Sequence, residues 1–254
     1  MLRHMFRVLT FCKCAGSKTM AANLKDNLRQ LISGPQAILL CLLLATDLLF
    51  IFFHCLQLAI DYPHDKNFRL NWARGYPENF QYIKFLWGSA LLFWIFIYRR
   101  RLPYMLLSAV LAYLLLDDAN EIHEIIGERL VMAYPNAGFW GIHPQDVTEF
   151  LTMIALGTLM LLALALSWFL SRLSERRDVV RIVVLILCIG FFAVVVDFAH
   201  AIVGNNPMLD ELFRIIEEGG EMISATLLTA SIFFIAFRDQ VTKARDEPEL
   251  QGTP

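Results

Sequence analysis

Charge is scarce in this 254-residue chain: Asp, Glu, Lys and Arg together make up 18%, against 57% apolar residues. Soluble domains carry about a quarter charged residues, so an ordinary water-soluble globule is excluded. Cysteine is sparse too. Cys12-Lys13-Cys14 lacks the two-residue spacer of a redox or zinc pair, and Cys41, Cys55 and Cys188 fall inside apolar runs. Neither a disulfide scaffold nor a thiolate metal site is expected. There is no Gly-x-Ser-x-Gly elbow and no Ser–His pair of rhomboid character. Nor does the amino-terminal tail have the layout of a signal peptide, because Arg7 and Lys13 interrupt its short apolar stretch, and Met20 is an alternative start. No nucleic-acid partner is expected.

What the chain does have is long apolar runs. Six lie at about 36–60, 81–98, 103–124, 149–170, 180–203 and 214–237, each close to the roughly 20 residues that cross a bilayer as a helix. They do not alternate as barrel strands would, and a backbone in lipid must satisfy its own polar groups. The expectation is an all-α polytopic bundle: a basic tail over 1–35 ending in Ser33-Gly34-Pro35, a six-helix transmembrane domain over 36–237, and a tail over 238–254.

Basic residues orient the bundle. With six spans, sixteen Lys and Arg fall on one side, in the two tails, the Arg99-Arg100-Arg101 turn and the Arg172–Arg181 connection; six (Lys66, Arg69, Arg74, Lys84, Arg129 and Arg214) go to the other. The positive-inside rule makes both termini cytoplasmic, in a bacterial inner membrane or a plasma membrane. Sixteen of the twenty-four acids go to the outer side, which carries a formal charge near −10. A field of that sign gathers cations.

The acids are concentrated where the third run ends, in Asp117-Asp118-Ala119-Asn120-Glu121-Ile122-His123-Glu124, with Glu128 and Arg129 beyond. Ionisable groups at membrane depth are costly and mark function. On one regular helix Asp117, Glu121, Glu124 and Glu128 share an arc, while Asn120, His123 and Gly127 form a separate line. Either His123 serves another contact, or the helix unwinds near the membrane surface. The fifth span ends on Asp197 and His200, an i, i+3 carboxylate–His pair of the kind that bundle metal sites use. The sixth opens with Glu217, Glu218 and Glu221, followed by Ser224 and Ser231 on the stripe of Glu217. Asp47, His54 and Asp61 line one face of the first span.

Asp117, Glu121, His123, Glu124, Asp197, His200, Glu217, Glu218 and Glu221 are therefore the expected ligands of a divalent metal. Mixed carboxylate and imidazole donors suit zinc, iron or manganese better than calcium or magnesium. Glu121, Glu124 and Glu221 are the candidates for a general base. The bland alternative is that the acids pair with Arg129, Arg214 and Lys84, stay protonated, or sit in water. Gly219-Gly220 fits close packing or a kink better than a phosphate loop. The loop Tyr134–Pro144 reads either as an aromatic belt anchor or as a lid over the cluster. The Glu217-Glu218 pair is superficially similar to the start of the CAAX-type membrane protease signature, but Met222 and an apolar run follow where that signature needs arginine and histidines. The paired last-helix histidines of ceramidase-type zinc amidases are also missing.

The function expected from these residues is a metal-dependent membrane enzyme, hydrolase or oxidase, acting on a lipid or membrane-associated substrate. The alternatives are a cation or metal-ion transporter with Asp47 and His54 on its path, or a non-catalytic accessory subunit.

Overall fold

A computed structural model describes residues 35–135, 143–203 and 207–246. The tail 1–34, most of the aromatic loop read as anchor or lid, and residues 247–254 lie outside the described residues. Among the described residues the fold is all helical, and six helices are long and apolar enough to cross a membrane.

The first span is α1 (Pro35–Ile60). A short 3-10 turn at Lys66–Phe68 interrupts the loop to α2 (Tyr76–Arg99). The turn out of α2 is made by Arg100, whose left-handed φ of 53° lets its N–H cap the Phe96 carbonyl, the usual geometry of a helix stop. Pro103 then sits in the first turn of α3 (Leu102–Asn120), where its missing N–H costs nothing. A short helix, α4 (Ile122–Ala133), follows, and α5 (Pro144–Leu170) packs against both α3 and α4. The fifth span is built in three pieces: α6 (Arg176–Gly190), a π turn (Phe191–Val196) and α7 (Asp197–Val203). The last helix, α8 (Pro207–Asp246), touches α1, α2, α6, the π turn and α7, and is the hub of the bundle. It continues nine residues past the expected end of the sixth span.

The two ends of the bundle are built differently. From the middle to the end bearing Arg99–Arg101, the interior between α2, α3, α6 and α8 is an apolar core containing Leu92, Leu107, Ile182, Leu228 and Ile235. That end is closed by a bidentate Arg238–Asp178 pair at 3.1–3.2 Å and an Arg101–Glu175 contact at 3.2 Å. Towards the other end the core gives way to carboxylates. At the transition, Lys84 Nζ of α2 meets Asp47 Oδ1 of α1 at 2.9 Å, with both side chains fully buried. Thr226 of α8 donates to the other Asp47 oxygen at 2.6 Å, and Lys84 also donates to the Met222 carbonyl at 3.0 Å. Lys84 is therefore not one of the bases of the acidic end, as the sequence count had it, because its ammonium is spent inside the bundle on Asp47.

Candidate metal and substrate site

The site begins with a break in a helix. The third run, expected as a continuous span to residue 124, stops at Asn120. Glu121 takes a left-handed backbone with φ of 53°, ending α3 and starting α4, a region that non-glycine residues seldom adopt. The single acidic arc of Asp117, Glu121, Glu124 and Glu128 is thereby broken. His123 folds back so that Nδ1 lies 3.2 Å from Asp117 Oδ2, although a straight helix holds residues six apart about 120° from each other. Of the two readings of His123, the unwound helix is the one observed. Burial alone would lower the pKa of this imidazole. The Asp117 hydrogen bond and the charges of Asp117, Glu124 and Glu149 outweigh it and hold it above the usual histidine value. Partial burial, aided by Glu121, Glu149 and Glu128, raises the Glu124 carboxyl against the pull of His123.

A second irregularity aims the fifth span. The π turn at Phe191–Val196 adds a residue to the helical repeat and so rotates Asp197 and His200 relative to a regular continuation of α6. It lies close against α8 because residue 220 is glycine: a Cβ there would run into the Phe192 ring. Gly219 likewise faces Ile51 of α1, so close packing is the role of this glycine pair. The approach brings Glu217 Oε2 to 3.3 Å from His200 Nδ1, while His200 Nε2 lies 2.7 Å from Asp210 Oδ1. Arg214 Nε supports the second Asp210 oxygen at 3.2 Å. Asp197, His200 and Glu217 each present a potential ligand atom, and the three atoms lie within 4.8 Å of one another.

These groups stand at one end of a cavity of about 730 Å³. Asp117, Glu121, His123, Glu124, Asp197, Glu217, Glu218 and Glu221 all line it, with His200 behind Glu217. Three acids absent from the expected ligand set, Glu78, Asp118 and Glu149, line it too, making ten carboxylates. No Lys or Arg is among the described lining residues. Gln81 donates to Glu221 at 3.1 Å, and Tyr82 donates to Glu78 at 2.5 Å. One Asp118 oxygen, Oδ2, is buried with no hydrogen-bond partner among the described residues.

The roof is the loop between the first two spans, which contributes Leu70 to Ala73 to the lining. It is pinned from below by His54, whose Nδ1 accepts the Leu70 N–H at 3.3 Å. His54 thus serves the loop, with Glu211 3.7 Å from its other nitrogen. Asp47 is held by Lys84, and Asp61 lies in the loop beside the exposed His64. The polar face of the first span therefore does not join the carboxylate cluster. Glu128 lies outside the cavity lining, and His143 caps α5.

The donor set fits a divalent cation. Two carboxylates and an imidazole converge, and the remaining imidazole nitrogen is held by a carboxylate, the arrangement that orients metal-ligating histidines. The ten carboxylates are charge that a cation or protons must balance.

A protein-family model described as a domain of unknown function (DUF8692) matches residues 37–237, which cover all six spans. No curated protein matches the chain, and no solved structure does either.

Proposed function

The chain belongs to that family of unknown function, and we propose, from the site itself, that it is a metal-dependent membrane enzyme acting on a lipid or membrane-associated substrate. The observation that carries this reading is the convergence of Asp197, His200 and Glu217 within 4.8 Å at the head of a cavity inside the bundle. In this proposal these three residues hold a zinc, iron or manganese ion, and Asp210 orients His200. When bound, such an ion supplies Lewis acidity or an activated water, and with iron an oxidising centre. Glu221, held by Gln81 on the cavity wall, is placed to take a proton from substrate or water. Glu124 and Glu121 stand further out, Glu121 with Arg74 at 3.7 Å.

The membrane placement belongs to the same proposal: both termini cytoplasmic in a cell membrane and the cavity near the outer leaflet, which the distribution of Lys and Arg supports. Transport is the weaker reading. A conducting path through Asp47 requires an available carboxylate at mid-membrane, and both Asp47 oxygens are engaged by Lys84 and Thr226.

The test is metal analysis of purified protein against the variant Asp197→Ala plus His200→Ala. A stoichiometric transition metal in the native protein that the variant loses is the expected result. Native protein that binds no such metal when reconstituted with zinc, iron or manganese would sink the proposal.

A further inference from the structure

The cavity does not end at the carboxylates. It continues as an apolar arm between α5 and the fifth span, reaching Leu164 on one wall and Ile186 on the other. At about 1.5 Å of rise per residue, Leu164 is roughly 22 Å along α5 from Glu149, and Ile186 is roughly 17 Å from Asp197. Half of a hydrocarbon layer about 30 Å thick is close to the shorter of these lengths. The arm also opens sideways. Ile154, Leu187 and Val195 line it and are 44–52% exposed on the face that meets lipid. Gly157 of α5 and Gly190 at the end of α6 line it as well, and a Cβ at either would meet nothing within 4 Å. These two glycines leave empty a space that any larger side chain would enter.

We infer that this arm holds the hydrocarbon tail of a membrane lipid whose cationic, amine-bearing head lies among the cavity carboxylates. The inference rests on the reading of the site as one that acts on a membrane-embedded substrate, and it names the class of that substrate. Tail and head are argued from different observations. The arm is apolar, open to the bilayer and at least about one leaflet deep. The head region presents ten carboxylates and no Lys or Arg among its described lining residues, more acid groups than one divalent ion offsets, so an ammonium group complements it better than a phosphate does. The volume, about 730 Å³, lies in the range of small-molecule sites.

The experiment is photolabelling of the native, metal-replete protein in nanodiscs. The probes are hexadecylamine carrying a diazirine in its tail, and the matching alcohol and alkyl phosphate. Adducts are located by peptide mass spectrometry. The expected result is amine labelling on the α5 and π-turn peptides that excess unlabelled hexadecylamine displaces. It weakens progressively in Gly157→Ala, Leu and Phe and in the same series at Gly190. The Phe variants should lose at least about tenfold, as a blocked apolar pocket does. Leu42→Phe, on the lipid-facing side of α1, leaves it unchanged. Labelling that is the same across both glycine series overturns the tail assignment, and equal or stronger labelling by the phosphate overturns the head assignment. Metal content of the same samples separates the two ideas. Native protein without metal defeats the enzyme proposal whatever the labelling, whereas glycine variants that keep metal but lose the amine probe support the lipid arm.

Discussion

Lys84 and Asp47 form an ion pair at 2.9 Å with neither side chain exposed, at the level where the apolar core of the bundle meets its carboxylate cavity. Removing one partner leaves the other charge buried and uncompensated, which costs about 3–5 kcal/mol. Asp47→Leu and Lys84→Met are each expected to lower the thermal midpoint strongly in detergent. The double variant should recover much of the loss, since apolar replacement of a whole buried pair is often near neutral. A double variant no better than the sum of the singles would show that the pair does not act as a unit.

The His123–Asp117 contact predicts a dependence on pH. The folded imidazole titrates above its ordinary value near 6.5. Its contribution to stability is thus complete below that value and is lost as pH rises through the higher, folded value. His123→Asn should be destabilised by about 1.5–3 kcal/mol near pH 6, the scale of a hydrogen bond to a charged group, and approach the native protein at pH 9. A difference between the two proteins that grows with pH would reverse the sign and refute the pairing.

Gly220 is expected to tolerate no side chain while Phe192 is present. Gly220→Leu forces the π turn away from α8 and should cost about 1–3 kcal/mol, the usual scale of overpacking. Phe192→Ala in the same chain makes room and should restore part of the thermal midpoint. Absence of any rescue would mean that the close approach is not what the glycine serves.

Asp210 should matter to the metal without touching it. Asp210→Asn keeps the size of the side chain but weakens its hold on His200 Nε2, and outer-shell changes of this kind cost about 10–100-fold in metal affinity. Chelator competition on native and variant protein measures this directly. Equal affinities would remove Asp210 from the site.

The helices were legible because lipid leaves so few choices: six runs of sufficient length gave six spans, with ends misplaced by several residues. The ligand-bearing face of the fifth span was legible for a local reason, as Asp197 and His200 are three apart within one short helix. The third span was legible in part. A straight helix puts its acids and its histidine on different faces, which leaves another contact for His123 or an unwound helix as the two readings, and nothing in Asn120-Glu121-Ile122 announces where the left-handed residue falls as a glycine would. Glu78, Glu149 and Asp210 lay in plain view among the outer acids, but their part depends on which helices are neighbours. Spacing along one segment carries no information about that. The pairing of Lys84 is hidden for the same reason: its partner is 37 residues away on another span.

The contrast between the clamped end of the bundle and its carboxylate-lined end implies a division of labour along the helices. One half supplies cohesion, through interlocked apolar side chains and clamped charges. The other gathers like-charged groups around empty space, which no helix packing rewards. Backbone amides of α3, α6 and α8 should therefore exchange hydrogen slowest in the first half and faster towards the carboxylates. A chain arranged in this way can revise the chemistry at one end of its helices while the other end keeps them assembled.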